Sequence, residues 1–355
     1  MDFKSFLIAW YNKNKRDLPW RNTTDPYLIW IAEIILQQTR VAQGLGYYLR
    51  FTSEFPTVFD LANANEDKVL KVWQGLGYYT RARNLQKAAK RIVKQYKGKL
   101  PGSYDELITI EGIGPYSAGA IASFAFKQVV PAIDGNVYRV MARIFGVFSS
   151  PHTSKGKKEF FNLVLELMDR RHPDVFNQAL LDFGALQCTP LAPKCDDCPF
   201  REYCYAYRNN VIDSLPLKPK RNVPRDRYFN YIMMVYGYDT FISKRKGNDI
   251  WVSLYEFPLI ETNTLINEGE VAMLTEWRTI FRGVNVKVKH VSPPVKHVLS
   301  HQTIYARFFI VELNEVPRFV KKNFIQTPKS ELDAYSIPTL IDSYLAAEPA
   351  AKYFF

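Results

Sequence analysis

The sequence is poor in cysteine: its 355 residues carry four, all between 188 and 204. That excludes a disulfide framework spread along the chain. No apolar run is long enough to cross a bilayer, and Asp2 near the start disfavours a signal peptide. A soluble intracellular protein with no membrane partner is therefore the expectation. There is no internal repeat, which excludes a repeat array, and no low-complexity segment. Apolar residues make up 47% and charged residues 23%, the balance of an ordinary globular protein rather than a disordered one. Between Arg16 and Tyr207 no convincing alternating strand is present, so this part reads as all-helical.

What is present is length and positive charge. At 355 residues two or three domains are expected rather than one. The net charge of +12 favours a polyanionic partner. Residues 1–212 hold 28 Lys and Arg against 20 Asp and Glu, residues 213–229 five against two, and residues 230–355 14 against 13. The excess lies on the first part and the connector.

The chain is organised around residues 107–137, which predict a helix, a turn at Gly112-Ile113-Gly114, a second helix and then a lone carboxylate, Asp134. Pro115 suits the first helical position. Two glycines permit close approach of a ligand, and exposed N–H groups at a helix start attract anions. The turn can thus hold a phosphate while Asp134 faces what is attached to it; an ordinary helical corner is the plainer alternative. Upstream, residues 2–14 form an amphipathic pattern with Phe3, Phe6, Leu7 and Trp10 on one face. Trp20 and Arg21 follow, able to stack on and bond to a base, or in the case of Trp20 to fill a core. Asp25-Pro26 opens a helix expected to reach Val41. Glu33 lies within its apolar run. Burial there would raise its pKa toward what a general acid needs, whereas a place at the solvent edge would not. Gln37-Gln38-Thr39 brings polar groups able to fill a gap in a base stack. Gly75-Leu76-Gly77-Tyr78-Tyr79 precedes Arg81 and Arg83, a mixture of aromatic and basic residues that suits nucleic acid, although the tyrosines can also simply pack. Further helices are expected over 136–147, 154–170 and 174–187.

Cys188, Cys195, Cys198 and Cys204 are spaced C-x6-C-x2-C-x5-C within 17 residues. The grouping indicates a metal site more than disulfides. Zinc commonly uses two C-x2-C knuckles, and one is present. A four-thiolate iron–sulfur cluster tolerates the wider, uneven spacing. Lys194, Arg201 and Arg208 around the loop are placed to meet phosphate.

Residues 213–229, with three prolines and five basic residues, read as a connector. Beyond it the pattern turns to period two, with strands expected over 228–238, 240–244, 249–259, 286–291, 295–299 and 304–313 and a helix over 266–283. Leu299-Ser300-His301 falls on a turn between two of these strands.

With helices, a GxG hairpin, a later Asp and this cysteine loop in chain order, the sequence resembles the endonuclease III-like, helix-hairpin-helix glycosylase superfamily. Within it the chain resembles the MutY-type adenine DNA glycosylases: residues 16–21, Ala32-Glu33-Ile34-Ile35-Leu36-Gln37-Gln38-Thr39 and Trp73-Gln74-Gly75-Leu76-Gly77-Tyr78-Tyr79 are similar to MutY stretches, and a C-terminal part is present where endonuclease III stops. Residues 251–258 are similar to the Nudix-like recognition domain of MutY. The resemblance implies a multidomain fold. An all-α helix-hairpin-helix glycosylase domain with an iron–sulfur cluster loop (1–212) is followed by a basic linker (213–229) and an α+β Nudix-like domain (230–355). Residues 266–283 lack an acidic Nudix box, which argues against pyrophosphate hydrolysis.

The implied activity is removal of adenine mispaired with 8-oxoguanine or G in double-stranded DNA. It further implies Glu33 as acid, Asp134 as stabiliser of the sugar cation, and Tyr116 and Asn136 as supports of Asp134 and the departing base. Arg21, Trp20 and Gln178 would hold the base, and Gln38 and Tyr78 would fill the vacated stack. Gly112 and Gly114 would bind the backbone. Ser300 and His301 would read 8-oxoguanine, although Leu299 stands where many MutY proteins have Phe. A [4Fe–4S] cluster on the four cysteines, a monovalent or divalent cation at the hairpin, a monomer and a cytoplasmic, nucleoid-associated location complete the implication. Bifunctional relatives carry Lys where this chain has Tyr116, and Tyr cannot form their Schiff base. Base removal without efficient strand cleavage is therefore expected.

Overall fold

The computed structural model describes residues 2–218 and 224–347. Residues 219–223 of the expected connector, and residues 348–355, lie outside the described residues. The chain divides into two compact units. One holds the described residues up to Ala64 and from Thr80 to 218, and the other takes Asn65–Tyr79 together with the described residues from 224 onward.

Up to residue 218 the elements are helices: α1 (Phe3–Asn14), α2 (Pro26–Leu36), α3 (Val41–Glu54), α4 (Val58–Asn63), α5 (Glu66–Trp73), α6 (Thr80–Tyr96), α7 (Tyr104–Leu107), α8 (Pro115–Phe126), α9 (Gly135–Phe145), α10 (Ser154–Leu167), α11 (Pro173–Leu186) and α12 (Tyr205–Arg208), with a 3-10 turn at Pro19–Arg21. All but α5 belong to the first unit. No strand occurs there among the described residues, as its sequence predicts.

Local chemistry sets the ends. Asp25 caps α2 by accepting from the Tyr27 N–H, and Pro26 takes the first turn. Residues Ile29 to Ile35 are all buried. The helix stops at Leu36, short of the expected Val41. There the Arg81 guanidinium takes the carbonyls of Ile34, Ile35 and Gln37, so the last carbonyls have partners without another helical turn. Gln38 then turns left-handed with φ 59°. The organising stretch appears as α7, a turn with Gly112 at φ 86°, and α8 capped by Gly114 and Pro115. An apolar core gathers α1, α9, α10 and α11; Phe3, Leu7 and Trp10 are buried in it while Phe6 stays outside.

The second unit is built on a sheet of β1 (Arg225–Tyr236), β2 (Asp239–Lys244), β3 (Tyr255–Glu256), β4 (Leu259–Thr262), β5 (Lys287–Val291), β6 (Val295–Val298), β7 (Gln302–Glu312) and β8 (Ile325–Pro328). Its path is β3-β2-β1-β7-β5, with β4 on β1, β6 on β7 and β8 on β2. β1 and β7 run parallel from Arg225↔Gln302 to Val235↔Glu312. Helices α13 (Glu268–Met273), α14 (Thr275–Ile280), α15 (Arg318–Asn323) and α16 (Thr339–Ala347) complete the unit. Alternation along β1 feeds two cores: Phe229, Tyr231 and Met233 face one with Leu340 and Ile341 of α16, and Ile232 and Met234 face the other with Trp277 and Val320. β1 begins within the stretch read as connector. α5 packs with this unit as well: Asp67 accepts from Lys244 Nζ and, at 3.0 Å, from the Tyr255 hydroxyl.

Two further expectations need correction. Residues 249–254 are not strand, because Trp251 (φ 59°) and Ser253 (φ 69°) are left-handed and incompatible with an extended ladder. The helix over 266–283 is broken at Leu274 into α13 and α14. Six positions apart, at about 100° per residue, Val271 and Trp277 would leave one continuous helix on different faces; the break lets both enter the same core.

Candidate active site

A cavity of about 410 Å³ opens within the first unit, lined among others by Arg16, Trp20, Arg21, Glu33, Tyr116, Asp134, Asn136 and Gln178. Four helices and the 3-10 turn with Trp20 and Arg21 meet at it. α2 contributes Glu33 and α8 contributes Tyr116. The start of α9 contributes Asp134 and Asn136, and α11 contributes Gln178.

Glu33 is buried, and its Oε2 accepts from the Tyr116 hydroxyl at 2.6 Å. Burial pushes its carboxyl up to about 7, against the opposing effects of the Tyr116 hydrogen bond and the Arg21 charge. Tyr116 is pushed well above its ordinary value by burial and by the two carboxyls, so it remains a donor. Asp134 is the N-cap of α9. Its Oδ1 accepts from the N–H groups of Asn136 (2.8 Å) and Val137 (2.9 Å), and its Oδ2 from Asn136 Nδ2 (2.6 Å). Burial raises this carboxyl too, but three donors and a helix N-terminus work for the anion. Burial thus raises both carboxyls, and they differ in their partners: one hydroxyl donor on Glu33, three donors at a helix N-terminus on Asp134.

The other expected residues fall as follows. Trp20 lines the cavity and is buried edge-on against Tyr48, centroids 5.0 Å apart. Gln178 accepts from the Tyr11 hydroxyl at 2.9 Å through Oε1. Arg21 forms a fork on Asp182, with Nη1 to Oδ2 at 2.6 Å and Nη2 to Oδ1 at 2.8 Å. Gln38 is exposed at the left-handed exit from α2. At Gly112 a Cβ would come 2.9 Å from Asn84 Cβ, whereas one at Gly114 would meet open space. Tyr78, half-exposed with φ 47°, and Ser300 and His301, on the turn between β6 and β7, belong to the second unit. Ser300 Oγ lies 3.2 Å from His301 Nδ1.

All four cysteines line one small, largely apolar cavity with Arg143, Phe183 and Gln187. Burial, with the other cysteines adding to it, pushes up Cys195, Cys198 (to about 12) and Cys204. Among the described residues no three His, Cys, Asp or Glu side chains stand close enough to hold a metal ion. The donor set itself, four thiols around one cavity, fits an all-thiolate centre.

Sequence reasoning passed over Asp182 and Arg139. Asp182 is fully buried between Arg16 and Arg21. Arg139 donates from Nη2 to Asn136 Oδ1 at 2.8 Å and from Nε to the Cys188 carbonyl at 2.7 Å. Each is a charged residue within an apolar helical run, the signal that marked Glu33.

Comparison with known proteins agrees with this layout. A profile described as HhH-GPD superfamily base excision DNA repair protein matches residues 31–165, and a NUDIX domain profile matches residues 230–347. The chain is 34% identical over 327 residues to the adenine DNA glycosylase of Buchnera aphidicola subsp. Baizongia pistaciae, spanning 90% of this chain and 89% of that protein. It is 40% identical over 368 residues to the adenine DNA glycosylase of Mus musculus, spanning 89% and 71% respectively. Among solved structures, a thermostable thymine-DNA glycosylase aligns with TM-score 0.55 and 29% identity, over 58% of this chain and 95% of that one.

Proposed function

The chain belongs to the adenine DNA glycosylases of the helix-hairpin-helix base-excision superfamily, and from that premise we propose how it selects and releases its base. As a member of that family it is a DNA N-glycosylase that hydrolyses the bond between adenine and deoxyribose. The finer reading is that the adenine is one paired with 8-oxoguanine or G, that it is turned out of the duplex into the 410 Å³ cavity, and that no lyase step follows. The observation that carries this is the pairing of two differently held carboxyls within one cavity: Glu33 buried against the Tyr116 hydroxyl, and Asp134 held by three donors at the start of α9.

In this reading the protonated Glu33 donates to adenine N7, making the base a better leaving group, and Tyr116 orients that carboxyl. As the glycosidic bond breaks, positive charge develops on the sugar. The Asp134 anion, held by Asn136 and the start of α9, stabilises it, and a water adds to complete hydrolysis. Arg21, Trp20 and Gln178 hold the base. Gln38 and Tyr78 fill the stack left behind. Gly112 and Gly114, with a monovalent or divalent cation, bind a backbone phosphate. Ser300 and His301 contact 8-oxoguanine.

Cys188, Cys195, Cys198 and Cys204 would hold a [4Fe–4S] cluster. Bound, it would supply a fixed clip on the loop that carries Lys194 and Arg201. Iron and sulfide analysis is expected to return four of each per chain. We also read the chain as three sections, 1–212, 213–229 and 230–355, acting as a monomer on DNA in the cytoplasm.

Single-turnover release of adenine from duplexes holding A opposite 8-oxoguanine, G or T tests the reading. Release is expected to be fastest opposite 8-oxoguanine, and no release from that duplex overturns it. Borohydride should trap no stoichiometric covalent complex, since Tyr116 offers no amine.

A further inference from the structure

Asp182 lies on α11 with no exposed side-chain surface. Two cations share it. Arg21 binds it as a fork at 2.6 and 2.8 Å. Arg16 reaches Oδ1 through Nε at 2.9 Å and through Nη2, and its backbone N–H lies 3.5 Å from Oδ2. Arg21 Nη1 also donates to the Arg16 carbonyl at 3.3 Å, tying the two arginines together. Both line the cavity that holds Glu33. Burial alone would push the Asp182 carboxyl up; Arg21 and Arg16 outweigh it and hold it below the ordinary carboxylate value. The group is therefore an anion throughout the working range.

We propose that Asp182 is a positioning residue for adenine excision: it clamps Arg16 and Arg21 to α11 and cancels part of their charge, so that Glu33 faces a fixed, moderated cation. The inference rests on the acid role given to Glu33 above. Glu33 meets charged and hydrogen-bonding groups from several sides. Arg21 acts on it from the 3-10 turn, Tyr116 from α8 and Asp134 from the start of α9. Arg40, before α3, lines the same cavity, and Arg81 of α6 caps the carbonyls of Ile34 and Ile35 beside it. Arg21 is the member of this set whose counter-ion is the buried Asp182, and Arg16 competes for that same counter-ion.

The sign follows from the charge count. Asp182→Asn keeps the shape and removes the anion. The wall becomes more positive, the carboxylate form of Glu33 is favoured, and Glu33 gives up its proton at lower pH. Adenine release, which needs the protonated acid, should then fall at lower pH than in the unaltered protein. Each pH unit that this alkaline limb moves costs about tenfold in rate above it. Arg16→Gln should act in the opposite direction, because Asp182 then serves Arg21 alone. A merely structural Asp182 would lower the rate by one factor at every pH.

Single-turnover rates from pH 5.5 to 9 should show the limb moving down in Asp182→Asn and up in Arg16→Gln. An equal loss at all pH values in Asp182→Asn, or limbs moving the same way in both variants, overturns the clamp. Infrared titration of the Glu33 carboxyl in the full chain, assigned by subtracting the spectrum of Glu33→Gln, reads the same shifts without turnover. If the unaltered protein releases no adenine, the functional reading fails while this titration still decides the clamp. If it is active and neither titration moves, the clamp alone fails. Should Asp182→Asn not fold, Arg16→Gln decides by itself: its limb must rise.

Discussion

Glu33 lies between Ala32 and Ile34 with 6% of its surface exposed, a position that would be costly for a carboxylate and is tolerable for a carboxylic acid. Its ordinary value of 4.5 is pushed up to about 7. The folded protein therefore holds a proton that the unfolded chain has already released between those values, and stability should fall as pH rises through that window. Glu33→Gln should remove this dependence, so that urea unfolding of the variant at pH 5 and pH 8 gives closer midpoints than in the unaltered protein. The same variant should lose adenine release by about 10²- to 10⁴-fold, the range for a general acid, with DNA binding retained; a near-normal rate would reject the acid role. Ser300 is a different kind of residue, exposed on a turn with His301 against its hydroxyl. Ser300→Ala should narrow the preference for 8-oxoguanine over G, and an unchanged ratio of single-turnover rates would remove Ser300 from the readout. Glu33 and Asp134 were legible as single carboxylates out of pattern. Asp182 and Arg139 bore the same signal, but Arg21 lies 161 residues from Asp182 and the Cys188 carbonyl 49 residues from Arg139, and no local rule connects such distant partners.

At the scale of elements, the hairpin between α7 and α8 depends on one backbone angle. Gly112 has φ 86° and Asn84 is packed where a Cβ would be. Gly112→Ala should cost at least about 1–2 kcal/mol from the left-handed conformation alone, with the Asn84 contact adding to it. Calorimetry reads the loss, and weaker binding to undamaged duplex should accompany it if the turn holds a phosphate. Helices of the first unit were readable because apolar residues recur at helical spacing and Asp, Thr, Asn and Pro mark their starts. The end of α2 was not, since Arg81 from a distant helix supplies the partners for its last carbonyls. Long strands such as β1 and β7 were readable from period two. The stretch before β3 resembled them and is not strand, because Trp251 and Ser253 take left-handed angles that those residue types do not signal.

For the whole molecule, the unexpected feature is the membership of Asn65–Tyr79. These residues lie within the span read as one helical domain, yet they pack with the unit that begins after residue 223. Asp67 takes hydrogen bonds from Lys244 and Tyr255, and Lys71 reaches the Tyr335 carbonyl at 3.3 Å. Residues 1–218 expressed alone should therefore show faster amide exchange over 66–73 than the full chain, and equal protection would place α5 with the helical unit. The sequence by itself determined the two-part composition, the helical and period-two regions, the cysteine grouping, the basic first part and the chemistry available at Glu33, Tyr116 and Asp134, because these are carried by residue type and local spacing. Tertiary structure decided what those groups become. It buries Glu33 against Tyr116, caps α9 with Asp134, loads Asp182 with two arginines and assigns α5 to the second unit. Protonation and partnership depend on distance through space and on excluded water, which chain order does not encode.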